Sequence, residues 1–162
     1  MLFRSFFFNH TMLLGIADEV PAGDFEIPLG QAAVKRKGRD ITVVGLSKMV
    51  PEALAAAQTL AQEGIDVEVV DLRTLCPLDE ATVLESVGRT GRLVVADEGS
   101  IMCGAASEVA AFVAEKAFGS LKAPIARVAR PMVPVPFSPP MENYVTPGAH
   151  HIVDACRRLM KA

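Results

Sequence analysis

The sequence predicts an α/β domain of three layers, α/β/α, built on a mostly parallel five-stranded sheet with an antiparallel edge strand. Short runs rich in Val and Ile alternate with segments of helical period, the pattern of parallel strands joined by crossover helices. The runs are near-continuously apolar instead of alternating, as in strands covered on both faces. The chain of 162 residues, 51% hydrophobic and 22% charged, has the composition of one globular domain. It is long enough to bury a core without metal or disulfide.

The first element is Ala32 to Arg36, which Lys37, Gly38, Arg39 and Asp40 join to the next run as a hairpin, adding the antiparallel edge. Strands follow at Ile41 to Leu46, Val67 to Leu72, Leu93 to Asp97 and Ile125 to Ala129. A helix from Pro51 to Gln62 has proline in its first turn, where no amide hydrogen is needed, and stops before Gly64. Leu54, Ala57 and Ala61 form its small inward stripe. A second helix starts after Asp79, a capping carboxylate, and runs to Val87, with Gly88 and Gly91 ending it. A third, Gly104 to Phe118, buries Ala106, Val109, Ala110, Val113 and Ala117. The last spans Gly148 to Met160. Between the fourth strand of this set and that helix, Pro131, Pro134, Pro136, Pro139, Pro140 and Pro147 predict an extended surface crossing.

Sixteen Lys and Arg against nineteen Asp and Glu give a net charge of -3, which excludes the basic field that a phosphate backbone requires. No apolar run reaches the roughly 18 residues of a membrane span. Arg4 and Phe6 to Phe8 imitate the start of a signal peptide, but Asn9, His10 and Thr11 interrupt it. Asp18 and Glu19 stand where a cleavage site would need small residues. Cys76, Cys103 and Cys156 are odd in number and form no CxxC pair, so neither a disulfide framework nor a zinc site is expected, and a reducing cytoplasm is.

Chemical motifs are sparse. The turn Gly45 to Val50 has one glycine, so a nucleotide fingerprint is absent even though Asp71 stands where a ribose-binding acid would. Gly99 to Gly104 has the glycine spacing of a phosphate loop, but Ala105 and Ala106 replace its Lys and Ser or Thr. The expected reason for the glycines is close packing, with an anion on the helix N-terminus as the alternative. Adjacent Asp97 and Glu98 point to opposite sides of a strand and read as a solvated strand end. His150 and His151 cannot share a helix face, and Cys76 reads as buried or inert. No catalytic, cofactor-binding or metal-ligating residue is assigned. On the third helix Glu108, Phe112 and Glu115 fall opposite the apolar stripe, predicting an outward ring flanked by carboxylates, a docking spot for a basic partner.

Four motifs occur in order: Ile27-Pro-Leu-Gly30, Asp71-Leu-Arg-Thr-Leu75 with Pro77-Leu-Asp79, Gly91-Arg-Leu-Val-Val95, and Pro134-Val-Pro-Phe-Ser-Pro-Pro140. Together they resemble the C-terminal domain of transketolase-like enzymes. More narrowly, they resemble the beta subunit of the decarboxylating component of 2-oxo acid dehydrogenase complexes of pyruvate, acetoin or branched-chain type. The resemblance implies that residues 1–29 are a remnant of a preceding pyrimidine-binding domain and its linker, that 30–162 are the C-terminal domain, and that the chain is a fragment or truncated product. It implies an alpha subunit, a second beta subunit and the dihydrolipoyl acyltransferase core as partners. Thiamine diphosphate and magnesium would belong to the parent enzyme and lie outside this chain, which by itself would bind neither and be inactive. The parent reaction would be oxidative decarboxylation, or acetoin cleavage, with acyl transfer to lipoamide. Glu108, Phe112 and Glu115 become docking candidates. Pro136, Phe137, Pro139 and Pro140 become subunit-interface candidates, and the isolated chain is expected to self-associate. The alternatives are a stand-alone small-ligand or nucleotide-binding module, and a piece of a transketolase or deoxyxylulose-phosphate synthase.

Overall fold

A computed structural model describes residues 6–17 and 19–162. Arg4 and Asp18, used in the signal-peptide reading, lie outside the described residues. The sheet has five strands: β1 (Ala33–Arg36), β2 (Ile41–Gly45), β3 (Val67–Asp71), β4 (Leu93–Ser100) and β5 (Ala126–Arg130), in the order β1-β3-β2-β4-β5. β2 runs parallel to β3 and β4, β5 runs parallel to β4, and β1 is antiparallel to β3. The helices are α1 (Met49–Ala61), α2 (Glu80–Thr90), α3 (Ala105–Ala117), α4 (Pro139–Val145) and α5 (Ala149–Lys161).

The period of two along each strand divides the core. Val43, Val69 and Val94 are in register and face α1 and α5. Val44, Val70 and Val95, one residue on, face α2 and α3. Continuous apolar runs therefore serve two cores at once, which confirms the three-layer expectation.

The antiparallel edge strand is present, but not as a hairpin: β1 pairs with β3, not β2. Residues 37–40 cross the start of β3, where Arg39 and Asp40 donate their N–H groups to the Asp66 carbonyl at 3.2 and 3.0 Å. Gly38 permits this crossing, since a Cβ there would lie 2.3 Å from the backbone of Val67 and Glu68. The reason is burial. Every residue of β2 is buried and wants strands on both sides, whereas β1 carries Lys35 and Arg36 and suits an edge.

Four helix details also differ. α1 begins at Met49 and buries Met49, Val50, Ala53, Ala56, Ala57 and Leu60, leaving Leu54 half-buried and Ala61 exposed. A run of alanines fits several stripes, and the larger Met49 and Leu60 decide the rotation. In α3, Ala106, Val109 and Val113 are buried as expected, while Ala110 and Ala117 are only half-buried. α2 passes through Gly88 and ends at Gly91, whose φ of 77° is the left-handed stop and whose N–H reaches the Val87 carbonyl at 2.7 Å. The proline-rich segment is not wholly extended, because Pro139 and Pro140 open α4, where the first turn needs no amide hydrogen.

Asp79 caps α2 as expected, accepting from Thr82 N at 3.1 Å, and also accepts from Ala32 N at 2.9 Å. Burial pushes its carboxyl up, but these hydrogen bonds, with that of the Thr82 hydroxyl, hold it below the ordinary range.

Candidate functional site: the carboxyl end of the sheet and two uncovered apolar segments

Ligands of open α/β sheets bind beyond the carboxyl ends of the strands, where neighbouring crossovers diverge. Here that point lies between β2 and β4, and the chain spans it with its own charges. Glu98 sits 3.6 Å from Lys48 Nζ and 3.0 Å from His10 Nε2, so the N-terminal segment is pinned over the crevice. Asp97 is buried, accepts from Gly99 N at 2.8 Å and from Ala106 N at 3.2 Å, and so occupies the N-terminus of α3. The expected solvated strand end is thus corrected: both acids are structural. The glycines of 99–104 answer close packing, since a Cβ on Gly104 would lie 2.3 Å from the Ser100 carbonyl oxygen.

The N-termini of α2 and α5 are filled in the same way. Asp79 caps α2, and Glu52 accepts from Ala149 N at 2.8 Å at the start of α5. Asp71 accepts from Arg73 N at 3.0 Å and closes its own turn. Among the described residues no group of three or more His, Cys, Asp or Glu is placed to hold a metal ion. A magnesium-bound diphosphate needs oxygen ligands in a cluster and free backbone amides. The N-termini of α2, α3 and α5 are already occupied, so these residues do not fit that group.

The histidines and cysteines add no catalytic set. His151 Nδ1 accepts from Gly148 N at 3.2 Å, and burial followed by the neighbouring His150 pushes its pKa down. The two rings touch, with centroids 3.8 Å apart, despite their adjacent positions on α5. Cys76 is exposed, not buried, as is Cys103. Cys156 is buried, which pushes its thiol up to about 12.

Of the docking candidates on α3, Glu108 and Glu115 are exposed, but Phe112 is not. Its ring is only 5% exposed and packs with Val109 and Val113 against the sheet. The outward ring is corrected for a physical reason: Phe112 lies three residues beyond Val109, at the flank of the stripe, and a side chain that long reaches inward. Glu108 borders a shallow crevice with Leu75, Leu78 and Cys103.

Two stretches of apolar surface are left uncovered. Phe6, Phe7 and Phe8 are 85%, 79% and 90% exposed, followed by exposed Met12, Leu14 and Ile16, and the connector exposes Phe25, Ile27 and Leu29. In the second segment Phe137 is fully exposed, with exposed Met132, Val135, Met141 and Tyr144 around it. Pro139 and Pro140 are exposed and Pro136 half-buried. Single exposed apolar residues are ordinary, but runs of them mark contact surfaces.

Comparison with known proteins agrees with this architecture. The chain is 52% identical to the beta subunit of acetoin:2,6-dichlorophenolindophenol oxidoreductase of Cupriavidus necator, over 96% of this chain and 46% of that one. It is 41% identical to the mitochondrial pyruvate dehydrogenase E1 component subunit beta-1 of Arabidopsis thaliana, over 94% of this chain and 43% of that one. A split-gene transketolase solved as an inactive beta4 tetramer superposes with a TM-score of 0.75 at 31% identity, over 89% of this chain and 46% of its own. The chain therefore spans less than half the length of the relatives it matches. The transketolase C-terminal domain matches residues 30–152, and the chain belongs to that family.

Proposed function

We propose that the chain is the C-terminal assembly and docking domain of the beta subunit of a 2-oxo acid dehydrogenase decarboxylating component, of acetoin or pyruvate type. The observation that carries this reading is the pair of uncovered apolar segments, 6–29 and 131–145, on a body whose crevice at the carboxyl end of the sheet is occupied by its own acids. The 52% identity to an acetoin oxidoreductase beta subunit favours the acetoin type. The whole enzyme would carry out oxidative decarboxylation, or acetoin cleavage, with acyl transfer to lipoamide, using thiamine diphosphate and magnesium held elsewhere. Its partners would be an alpha subunit, a second beta subunit and the acyltransferase core. Residues 1–29 would be the tail and linker of a pyrimidine-binding domain, with Phe6 to Phe8 meeting the rest of that domain. Among the described residues no helix is long and apolar enough to cross a membrane, and the unpaired cysteines favour the cytoplasm.

Glu108 and Glu115 remain docking candidates for a basic subunit-binding domain of the acyltransferase, while Pro136, Phe137, Pro139 and Pro140 remain candidates for the subunit boundary. Sedimentation velocity should show concentration-dependent self-association, and calorimetry with thiamine diphosphate and magnesium should show no heat of binding. A strictly monomeric chain, or micromolar cofactor binding, overturns the reading. A second reading, the beta chain of a split transketolase, is favoured by the 31% identical tetramer. Co-purification of this chain with the alpha subunit of one type or the other separates the two.

A further inference from the structure

β5 is an edge strand. Among the described residues it pairs with β4 on one side and with no strand on the other, so its outer backbone groups can pair with an extended chain. A groove of about 300 Å³ runs beside it, lined by Arg127 and Ala129 of β5, Tyr144 of α4, and His151, Asp154 and Arg158 of α5. The charge around this edge is unbalanced. Arg36, Arg39, Arg89 and Arg157 each have a carboxylate partner. Among the described residues Arg127, Arg130 and Arg158 have none, although the chain is acidic overall. Neither do Arg73 and Arg92, but Arg127 and Arg158 are the pair that line one groove.

Arg127 is held by neutral acceptors, the Ile101 carbonyl at 2.7 Å and the Ser107 hydroxyl at 2.6 Å, so its position is fixed and its charge is not compensated. Arg130 Nε is buried without a hydrogen-bond partner. The acid in the groove, Asp154, is 3.4 Å from Arg157. Arg127 stands on the α3 side of the strand, against Ser107, and Arg158 stands on the α5 side. An added strand alternates its side chains between these two sides, so two successive carboxylates would meet one arginine each. A second copy of β5 is a poor occupant, because antiparallel pairing about Val128 would bring the two Arg127 side chains diagonally together on one face.

We propose that the free edge of β5 receives an acidic, extended segment of a partner protein as a sixth strand. Backbone pairing would supply the binding, and Arg127 and Arg158 would select for carboxylates. The groove shares Tyr144 with the second apolar segment but not Phe137, Glu108 or Glu115, and its test reads peptide capture, so its failure is distinguishable from failure of the assembly reading.

The test is fluorescence anisotropy on the full chain at low salt, with a labelled, capped peptide Val-Thr-Glu-Asp-Val-Thr as the probe. Saturable binding is expected, with no binding of the peptide that carries two lysines in place of the acids. Charge reversal at exposed Arg158 (Arg158→Glu) should weaken binding about tenfold, and alternate N-methylation of the peptide backbone by a similar factor. Arg158→Gln should lie between wild type and Arg158→Glu, and an unchanged circular dichroism spectrum shows that both variants fold. Absence of saturable binding overturns the proposal, as does equal affinity for the lysine peptide. Displacement by inorganic phosphate, together with indifference to N-methylation, would show a simple anion site and overturns it too.

Discussion

Leu60 and Ile152, in the helices that cover one face of the sheet, have no exposed surface, whereas Phe137, in the segment before α4, has nothing of this chain upon it. The same contrast separates the whole body from residues 6–29 and 131–145. In the body buried polar side chains are paired, the Arg130 Nε excepted. The Thr42 and Thr90 hydroxyls pair at 2.8 Å, and buried Glu68 receives Arg89 through two bonds of 2.6 Å. In the outlying segments, aromatic and aliphatic side chains as large as those of the core remain in water. The difference teaches that apolar composition alone does not locate a core. What locates it is the presence of a second surface within the chain.

The largest break in this comparison should come from the buried ion pair. Arg89→Leu leaves Glu68 charged and uncompensated in the core, and urea denaturation should show a loss of about 3 to 5 kcal/mol. The double variant with Glu68→Leu should recover much of it. Next, Leu60→Ala should cost about 2 to 5 kcal/mol through the cavity it leaves. Phe137→Ala, a larger truncation, should change stability by less than about 0.5 kcal/mol while weakening self-association in sedimentation. Equal losses at Leu60 and Phe137 would erase the distinction between body and outlying segment.

Two pH effects sharpen it. Cys156 titrates at about 12 when folded against 9.0 for the free thiol. The unfolded thiol ionises first, so stability should fall as pH rises above 9, by about 1 kcal/mol at pH 10. Cys156→Ala should flatten that slope in alkaline denaturation curves. At the acid end His151 has its folded pKa pushed below 6.5. The unfolded state then binds the proton more readily, so stability is lost as pH falls through 6.5, in step with loss of the Gly148 N–H acceptor. His151→Gln should remove this smallest effect. Exposed Phe7 and Phe8, by contrast, should impart no pH dependence to unfolding.

The strands and the three-layer order were legible because burial leaves a periodic or continuous apolar trace. Phe112 was misplaced because an aromatic at the flank of a helical stripe fits either side until its length is matched to a real neighbour. Asp97 and Glu98 looked idle because their partners, Ala106 N, Lys48 and His10, come from three other parts of the chain. The arginines around β5 left no signal at all, since an absence of carboxylate partners is a property of space.

By itself, then, the sequence determined where the five strands and four of the five helices lie and that two faces of the sheet are covered. These follow from local propensity and from the period of burial, both of which are written residue by residue. Only the tertiary structure decided that β1 crosses to β3, that the carboxyl end of the sheet is closed by the chain's own acids, and that β5 is left as a basic free edge. Each of these depends on which distant groups meet, and contact between residues far apart in the chain is fixed by the packing of the whole rather than by any one stretch of it.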